Sequence, residues 1–237
     1  MLRLWTVVSS SLIIGGFYGI LNMASAQTPK ISSGNGKHFE RVVLKYFWPA
    51  LGYGEKVGRI YYSATCQPNV NLAASFPRLD VRPASNGKSG VAAVRDIFRE
   101  EKNISVKEVD SGIIRVKIGS VPNAVLRARI SNLILTPEEQ YNYWLAIFKI
   151  ENAPEVQSAM QELKIGIPPR TVNIGIAQPA DGLPHLPDVI TNVTMDQALD
   201  LVAKTFGGIV IYEFCTPQNQ YEIRFASPGD IYSTLDE

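Results

Sequence analysis

The sequence predicts an α+β fold in which amphipathic helices pack on small sheets. Two segments each contain an amphipathic helix followed by two strands, and each helix carries an apolar stripe that needs a sheet to cover it. A helical segment and a proline-rich connector separate them. The predicted organisation is a signal peptide (1–26), a flexible segment (27–37), a first α+β unit (38–135), the helical segment and connector (136–188) and a second α+β unit (189–237).

The first 26 residues have the features of a secretory signal peptide. Arg3 precedes an uncharged, mostly apolar run from Leu4 to Leu21, and Ala24 and Ala26 form a small-x-small cleavage pattern before Gln27. The alternative is an uncleaved signal anchor, because the apolar run approaches the length that spans a bilayer. Either way the folded part is predicted to be periplasmic or secreted, with membrane contact only through this segment if it is not cleaved.

Composition restricts the classes of function. Of the 237 residues, 46% are hydrophobic and 19% are charged, which is typical of a globular chain rather than a disordered one. The formal net charge of +1 gives no electrostatic reason to expect a nucleic-acid partner.

The chain has two cysteines, Cys66 and Cys215. In an oxidising compartment two distant cysteines predict a disulfide, and closing so long a loop stabilises by about 4–5 kcal/mol in the chain-entropy model. The alternative is a pair of buried free thiols, which pack as small hydrophobic groups.

The first unit is predicted to contain helices and strands in alternation. A short helix ends near Pro49, and a β-branched, aromatic strand covers Arg59–Thr65, with a second short strand at Phe76–Val81. The helix that follows has its apolar stripe at Val91, Val94, Ile97 and Phe98, with Ser89 as its N-cap. Strands at Ile104–Val109 and Ile113–Ile118 then form a hairpin joined at Asp110–Gly112. The second strand alternates apolar Ile114, Val116 and Ile118 with Arg115 and Lys117, which predicts one buried and one solvent-exposed face.

The middle segment begins with strong helix signals. Thr136, Pro137 and Glu139 predict a capping box with proline in the first turn. The helix is expected to carry Tyr141, Trp144, Leu145 and Phe148 on one face, with Tyr143 pointing elsewhere. Asn152 and Glu155 suggest a second capping pair, and the proline-rich connector that follows contains a possible strand at Thr171–Ile176.

The second unit repeats the order of the first. Thr194 and Gln197 predict a capping box, and Gly207 follows the helix as its terminator. The predicted buried stripe comprises Ala198, Leu199, Leu201, Val202 and Phe206. Ile209–Cys215 and the alternating Tyr221, Ile223 and Phe225 predict a final hairpin.

The two units align with each other at a constant offset. Ala93, Val94 and Ile97 fall on Ala198, Leu199 and Val202, and the hairpins follow with a slip of two residues at the turn. Two explanations remain open: an internal duplication, or two helix–hairpin segments that match because binary patterning forces the match.

The segment Asn192–Phe214, NVTMDQALDLVAKTFGGIVIYEF, resembles the secretin and TonB N-terminus short domain (STN). That family typically shows a V-(S/T)-x-x-x-A-L-x-x-L helix, a small-residue turn and a strand; Val193, Thr194, Ala198 and Leu199 match it, whereas Val202 stands where leucine is usual. The resemblance lies mainly in residues 191–225, with a weaker match at Val91–Val109. It implies a small extracytoplasmic protein-docking module rather than an enzyme.

No catalytic motif stands out in the sequence. The G-x-S-x-G, H-E-x-x-H and P-loop patterns are absent, and His38 and His185 are the only histidines. No metal site and no cofactor is therefore predicted. The alternative function, a secreted hydrolase or small-ligand-binding protein with a cleft between the two units, would make His185, Asp188 and Glu213 the residues to test.

The favoured hypothesis is an exported, non-catalytic adaptor of the bacterial cell envelope that binds another envelope protein or itself. Its predicted partner-binding residues form the densest aromatic cluster of the chain, Tyr141, Tyr143, Trp144 and Phe148. Aromatic side chains left exposed after folding are common anchors at protein interfaces.

Overall fold

A five-stranded mixed sheet forms the centre of the molecule. The structure is a computed structural model that describes residues 45–64, 82–110, 112–168, 182–216, 218–227 and 229, all of which lie in one compact unit spanning Ser33–Glu237. The elements are α1 (45–50), β1 (Val57–Ala64), α2 (Gly90–Ile97), β2 (Ile104–Val109), β3 (Ile113–Ile118), a 3-10 turn (Val125–Arg127), β4 (Arg129–Ile134), α3 (Pro137–Tyr141), α4 (Tyr143–Glu151), α5 (Pro154–Leu163), β5 (Val189–Thr194), α6 (Met195–Phe206), β6 (Ile209–Cys215) and β7 (Gln220–Ala226).

Both predicted hairpins belong to this one sheet. The strand order is β2-β3-β1-β6-β7, with β1 parallel to β3 and to β6 and each hairpin antiparallel. Ile60 of β1 therefore lies between Val116 of β3 and Ile211 of β6. The α+β class is confirmed, and β1 joins the first and second units into a single sheet.

Helices cover the sheet on both faces. Ile60 and Tyr62 of β1 point to what we call the first face, where they pack with α1 and α2. The neighbouring Tyr61 points to the second face, where α4, α5 and α6 supply most of the core. Strand β6 lies between the two layers, and all seven of its residues are buried.

The helices α2 and α6 pack on opposite faces of the sheet. Ala93 and Val94 of α2 belong to the core of the first face, whereas Ala198 and Leu199 of α6 belong to the core of the second. The connection that contains α2 leads from β1 into β2, which is antiparallel to β1, so the handedness rule for crossovers between parallel strands does not decide its face.

The segments that align between the two units occupy different positions in the sheet. The alignment equates β2 with β6, yet β2 is an edge strand and β6 is an interior strand. Likewise the aligned helices pack on opposite faces. The matched residues thus occupy non-equivalent places, as expected where binary patterning alone produces the match.

Most local signals are found where the sequence places them. The capping boxes at Thr136/Glu139 and Thr194/Gln197 are both present, and Gly207 ends α6 in the left-handed conformation at φ 66°. Ser89 occupies the N-cap position of α2 but makes no side-chain cap hydrogen bond. The predicted strands Phe76–Val81 and Thr171–Ile176, like residues 1–37, lie outside the described residues.

The predicted helix after Pro137 is interrupted at Asn142, and here the prediction was wrong. Asn142 is extended (φ −128°, ψ 111°), and its Oδ1 accepts hydrogen bonds from the backbone N–H groups of Trp144 and Leu145 at 2.9 and 3.2 Å. An asparagine side chain that bonds to nearby backbone favours a cap over a helix interior. The helix α3 therefore ends at Tyr141, and a separate helix, α4, begins at Tyr143.

The second capping pair was also predicted wrongly. Asn152 ends α4, and its Nδ2 donates to the carbonyl oxygen of Phe148 at 2.7 Å. Glu155 instead accepts a hydrogen bond from the backbone N–H of Ser131 in β4 at 2.9 Å. The N-cap of α5 is Ala153, without a side-chain cap, and proline occupies its first turn.

A second, two-stranded sheet of β4 and β5 packs beside the helices of the second face. Ile130, Leu133 and Ile190 are its buried residues and belong to that core. Within the described ranges, every helix is too short or too polar to cross a membrane.

Candidate functional site

The second face of the sheet carries a pocket over strands β2 and β3. The helices of that face lie over β1, β6 and β7, so the outward side chains of β2 and β3 border an open cavity of about 230 Å³. The strands, the segment after β3 and the start of α6 supply its walls. The lining residues are Tyr61, Ser105, Lys107, Val109, Arg115, Lys117, Val121, Asn123, Leu126 and Asp196.

A buried network of two arginines and two aspartates forms the base of this region. Arg59, fully buried in β1, donates through Nη2 to Oδ1 of Asp196 at 2.8 Å and through Nη1 to the carbonyl oxygen of Asp196 at 2.9 Å. Its Nη1 also donates to Oδ1 of Asp200. A guanidinium without solvent needs such partners, because an unpaired buried charge is very costly.

Arg115 of β3 binds the same two carboxylates from the pocket side. Its Nη2 donates to Oδ2 of Asp200, and its Nη1 lies 3.2 Å from Oδ2 of Asp196. Asp200, one turn after Asp196 on α6, thus lies between two guanidiniums. Burial raises the pKa of the Asp200 carboxyl, and the charges of Arg59 and Arg115 offset that effect only in part.

Tyr61 connects the network to the cavity. Its hydroxyl donates to Oδ1 of Asp196 at 2.8 Å, and its ring lies 5.1 Å from the guanidinium carbon of Arg59. Burial raises the pKa of Tyr61 above its usual range. The phenol therefore stays protonated and serves as a hydrogen-bond donor, not as a base.

The local sequence fixes the position of Asp196. The Thr194/Gln197 capping box starts α6, so Asp196 lies in the first turn. Negative charge is favourable there because the backbone N–H groups of the first turn point toward it. Arg59 holds the same turn through both the side chain and the backbone of Asp196, which anchors α6 to β1.

The cations of the pocket exceed its anions. The charges of Arg59 and Arg115 balance those of Asp196 and Asp200, and no ion pair joins Lys107 or Lys117 to a carboxylate among the described residues. The β2–β3 register also places Lys107 directly opposite Arg115. Like charges directly opposite each other in a sheet are destabilising, so this pair is not explained by stability.

Two buried donors of the Arg–Asp network lack a partner. The Nε–H groups of Arg59 and Arg115 are buried and find no acceptor among the described residues. Unsatisfied buried donors are uncommon in native proteins and need an explanation. With Lys107, Lys117 and the amide of Asn123 nearby in the lining, the pocket is rich in hydrogen-bond donors.

The residues of the predicted alternative cleft are not brought together. His185 is exposed, stacks on Tyr141 at 5.0 Å between ring centroids and contacts the carbonyl oxygen of Leu183 through Nδ1. Asp188 is exposed just before β5. Glu213, by contrast, is buried on the first face, where it accepts a hydrogen bond from the Tyr62 hydroxyl at 2.7 Å.

The four predicted partner-binding residues differ in their exposure and contacts. Tyr143 packs on Phe225 and on Trp144, with ring centroids 4.4 and 5.7 Å apart, and borders the core. Tyr141 lies on α3 against His185. Trp144 is half-buried and Phe148 is 60% exposed, one turn apart on α4.

The structure describes one of the two cysteines of the predicted disulfide. Cys215 is fully buried at the end of β6 and is disulfide-bonded. Cys66 lies outside the described residues, so the pairing of Cys66 with Cys215 stays a prediction.

Sequence reasoning missed the Arg–Asp network and the pocket beside it. Two signals were available: Arg59 inside an otherwise apolar and aromatic strand, and Asp200 inside the apolar stripe of α6. Each is a charged residue at a position that the local pattern assigns to the core. Such residues require a partner, although the sequence does not say which one.

Comparison of the chain with family models, curated proteins and solved structures finds no match. The resemblance to the STN domain therefore stays a prediction. In the part of the chain that the structure describes, no three His, Cys, Asp or Glu side chains are grouped so that they could hold a metal ion.

Proposed function

We propose that the chain is an exported, non-catalytic protein-interaction module of the cell envelope that docks through the outer side of α4. The observation that carries this proposal is Phe148, whose side chain is 60% exposed on a helix that is hydrophobic around most of its circumference. The partner is another envelope protein or a second copy of the chain.

The composition of α4 supports this proposal. Its sequence is YWLAIFKIE, in which only Lys149 and Glu151 are charged. Ala146, Ile147 and Ile150 face the core and are buried. A helix that is hydrophobic all round is normally covered on all sides, whereas the outer side of α4 presents Phe148 to solvent, with Trp144 half-buried one turn before it.

The scattering of the acid–base candidates favours a non-catalytic role. General acid–base catalysis needs its groups within hydrogen-bond reach of one substrate. His185 and Glu213 lie on different layers of the molecule, and Tyr61 keeps its proton. Export itself rests on the signal peptide predicted for residues 1–26, which lie outside the described residues.

The proposal is tested by comparing Phe148→Ser with Tyr53→Ser in the mature protein. Tyr53 is 62% exposed and follows α1 on the other side of the sheet, so it is a matched apolar control. Replacing either exposed side chain should change the free energy of unfolding by no more than about 0.5 kcal/mol. Sedimentation equilibrium measures self-association, and a photo-crosslinking residue at position 148 or 53 in living cells captures a partner.

The expected result is that Phe148→Ser weakens association by about tenfold or more, equivalent to about 1.4 kcal/mol, while Tyr53→Ser leaves it unchanged. Crosslinks should form at position 148 and not at position 53. A chain that is monomeric at all concentrations and gives no crosslink at position 148 would contradict the proposal.

The alternative, a small-ligand-binding protein, is favoured by a different observation. The cationic pocket lies where the first unit, through β1, β2 and β3, meets the second unit, through Asp196. This is the junction at which the sequence placed a possible cleft, although the residues that line it are not those named from the sequence.

A further inference from the structure

We propose that the pocket over β2 and β3 binds a small organic oxyanion, a carboxylate or a phosphate ester with an apolar body. This inference does not depend on docking through α4. It rests on three features of the described residues: an open cavity, an excess of cations in its lining, and a guanidinium in that lining that two carboxylates hold in place.

The first feature is the space. At about 230 Å³ the cavity is somewhat smaller than the pockets that hold drug-sized ligands, which begin near 300 Å³. Since a water molecule takes up about 30 Å³ in the liquid, the cavity has room for several waters or for one small molecule. A metabolite with a single ring or a short chain fits this size.

The second feature is the charge. Lys107, Arg115 and Lys117 project from two adjacent strands into the same cavity, and Lys107 and Arg115 are direct cross-strand neighbours. Among the described residues Asp196 is the single carboxylate of the lining, and Arg59 and Arg115 already bind it. An oxyanion between these side chains would replace repulsion between neighbouring cations with charge-assisted hydrogen bonds.

The third feature is a guanidinium held in place. Both terminal nitrogens of Arg115 are used by Asp196 and Asp200, which fixes the guanidinium plane at the edge of the cavity. A guanidinium fixed in this way is organised before the ligand arrives, which reduces the entropic cost of binding.

The apolar part of the lining restricts the ligand further. Val121 and Leu126, in the segment after β3, are buried, and Val109 at the end of β2 is half-buried; all three line the cavity. Pockets of this kind bind molecules whose charged group is fixed by a few polar side chains and whose body covers apolar surface. Inorganic phosphate alone would leave these contacts unused and should bind more weakly.

Calorimetric titration of the mature protein with benzoate, phenyl phosphate, inorganic phosphate and benzyl alcohol tests the proposal. We expect saturable binding of benzoate or phenyl phosphate with Kd of about 1 mM or tighter, weakened as salt rises. Inorganic phosphate should bind more weakly, and benzyl alcohol should not bind. The stronger of the two aromatic anions identifies the head group as carboxylate or phosphate.

The matched variants are Lys107→Gln/Lys117→Gln and Lys204→Gln. The first removes two exposed pocket cations and leaves uncharged polar side chains that are one atom shorter; the second removes an exposed cation from the last turn of α6, far from Asp196 in its first turn. The pocket variant should lose about tenfold or more in affinity, and the Lys204 variant should bind as the unsubstituted protein does.

Three results would each overturn the proposal: no saturable binding of either aromatic anion, equal binding by the pocket variant, or binding of benzyl alcohol as tight as that of the anions. Far-ultraviolet circular dichroism checks that the pocket variant is folded. Should the double variant not fold, Lys117→Gln alone carries the same comparison.

Discussion

Arg59 shows how a single residue fixes the relation between two distant parts of the chain. It lies in the first strand of the sheet, and its partners Asp196 and Asp200 lie 137 and 141 residues later on α6. The guanidinium is fully buried, so these contacts determine whether its charge is compensated. Replacing one partner of such a buried network leaves the other charge unpaired in the low-dielectric interior.

Asp200→Asn should therefore destabilise the protein strongly. The substitution keeps the shape of the side chain and removes the charge that faces both Arg59 and Arg115. We expect a loss of about 3 kcal/mol in the free energy of unfolding, measured by urea denaturation. Asp188→Asn, at an exposed carboxylate before β5, is the control and should stay within about 0.5 kcal/mol. A similar small effect for Asp200→Asn would mean that the network does not hold α6 to the sheet.

Local sequence patterns could predict some residues of the site, whereas long-range contacts could not be predicted. The capping pair Thr194 and Gln197 is local, so its position in the chain is enough to predict the start of α6 and the place of Asp196 in its first turn. The contact of Asp196 with Arg59 is not local. No periodicity or spacing encodes a pairing across 137 residues. A single sequence shows only that a charged residue lies within an apolar strand.

At the scale of elements, the β2–β3 hairpin was predicted with its bounds and alternation. The sequence predicted both its turn at Gly112 and the alternation of apolar and polar residues along its strand. The sequence could not show that the helices of the second face leave one side of this hairpin uncovered. That depends on where β3 joins the sheet, and the consequence is a row of cations bordering a cavity.

Lys107→Gln should stabilise the ligand-free protein. The substitution removes a charge placed directly opposite Arg115, and cross-strand pairs of this kind contribute about 0.2–1 kcal/mol. Urea denaturation at low salt measures the gain, which should shrink as salt screens the repulsion. Lys102→Gln, an exposed lysine before β2, is the control and should have no comparable effect. Destabilisation by Lys107→Gln would show that the lysine has a structural partner.

The helices after β4 show where an element-level prediction failed. The apolar spacing of Tyr141, Trp144 and Phe148 suggested one continuous face, and Asn142 broke it. Because the N-cap restarts the helix, Ala146, Ile147 and Ile150 take the buried side and Phe148 is left exposed. A capping residue inside an apolar run is a local signal that periodicity alone overlooks.

At the scale of the whole molecule, the fold class was predictable and the topology was not. Helix–hairpin order and amphipathic stripes require helices packed on sheets. The sequence does not say that β1 lies between the two hairpins, since that arrangement depends on long-range pairing. In that sheet α2 and α6 lie on opposite faces.

A sheet shared by both units should make the molecule unfold as one cooperative unit. Trp48 is buried on the first face and Trp144 lies half-buried on α4 at the second, so each reports one layer. In the mature variants Trp48→Phe and Trp144→Phe, the urea midpoint of tryptophan fluorescence should coincide with that of circular dichroism. Separate midpoints for the two layers would indicate that they fold independently.

We propose that segments from both units form one anion-binding site where they meet. This site is tested by titrating the ¹⁵N-labelled mature protein with phenyl phosphate and following the amide resonances. We expect saturable shifts centred on Tyr61, Lys117 and Asp196, which belong to β1, β3 and α6. Shifts confined to a single hairpin, shifts centred on α4, or none at all would contradict it.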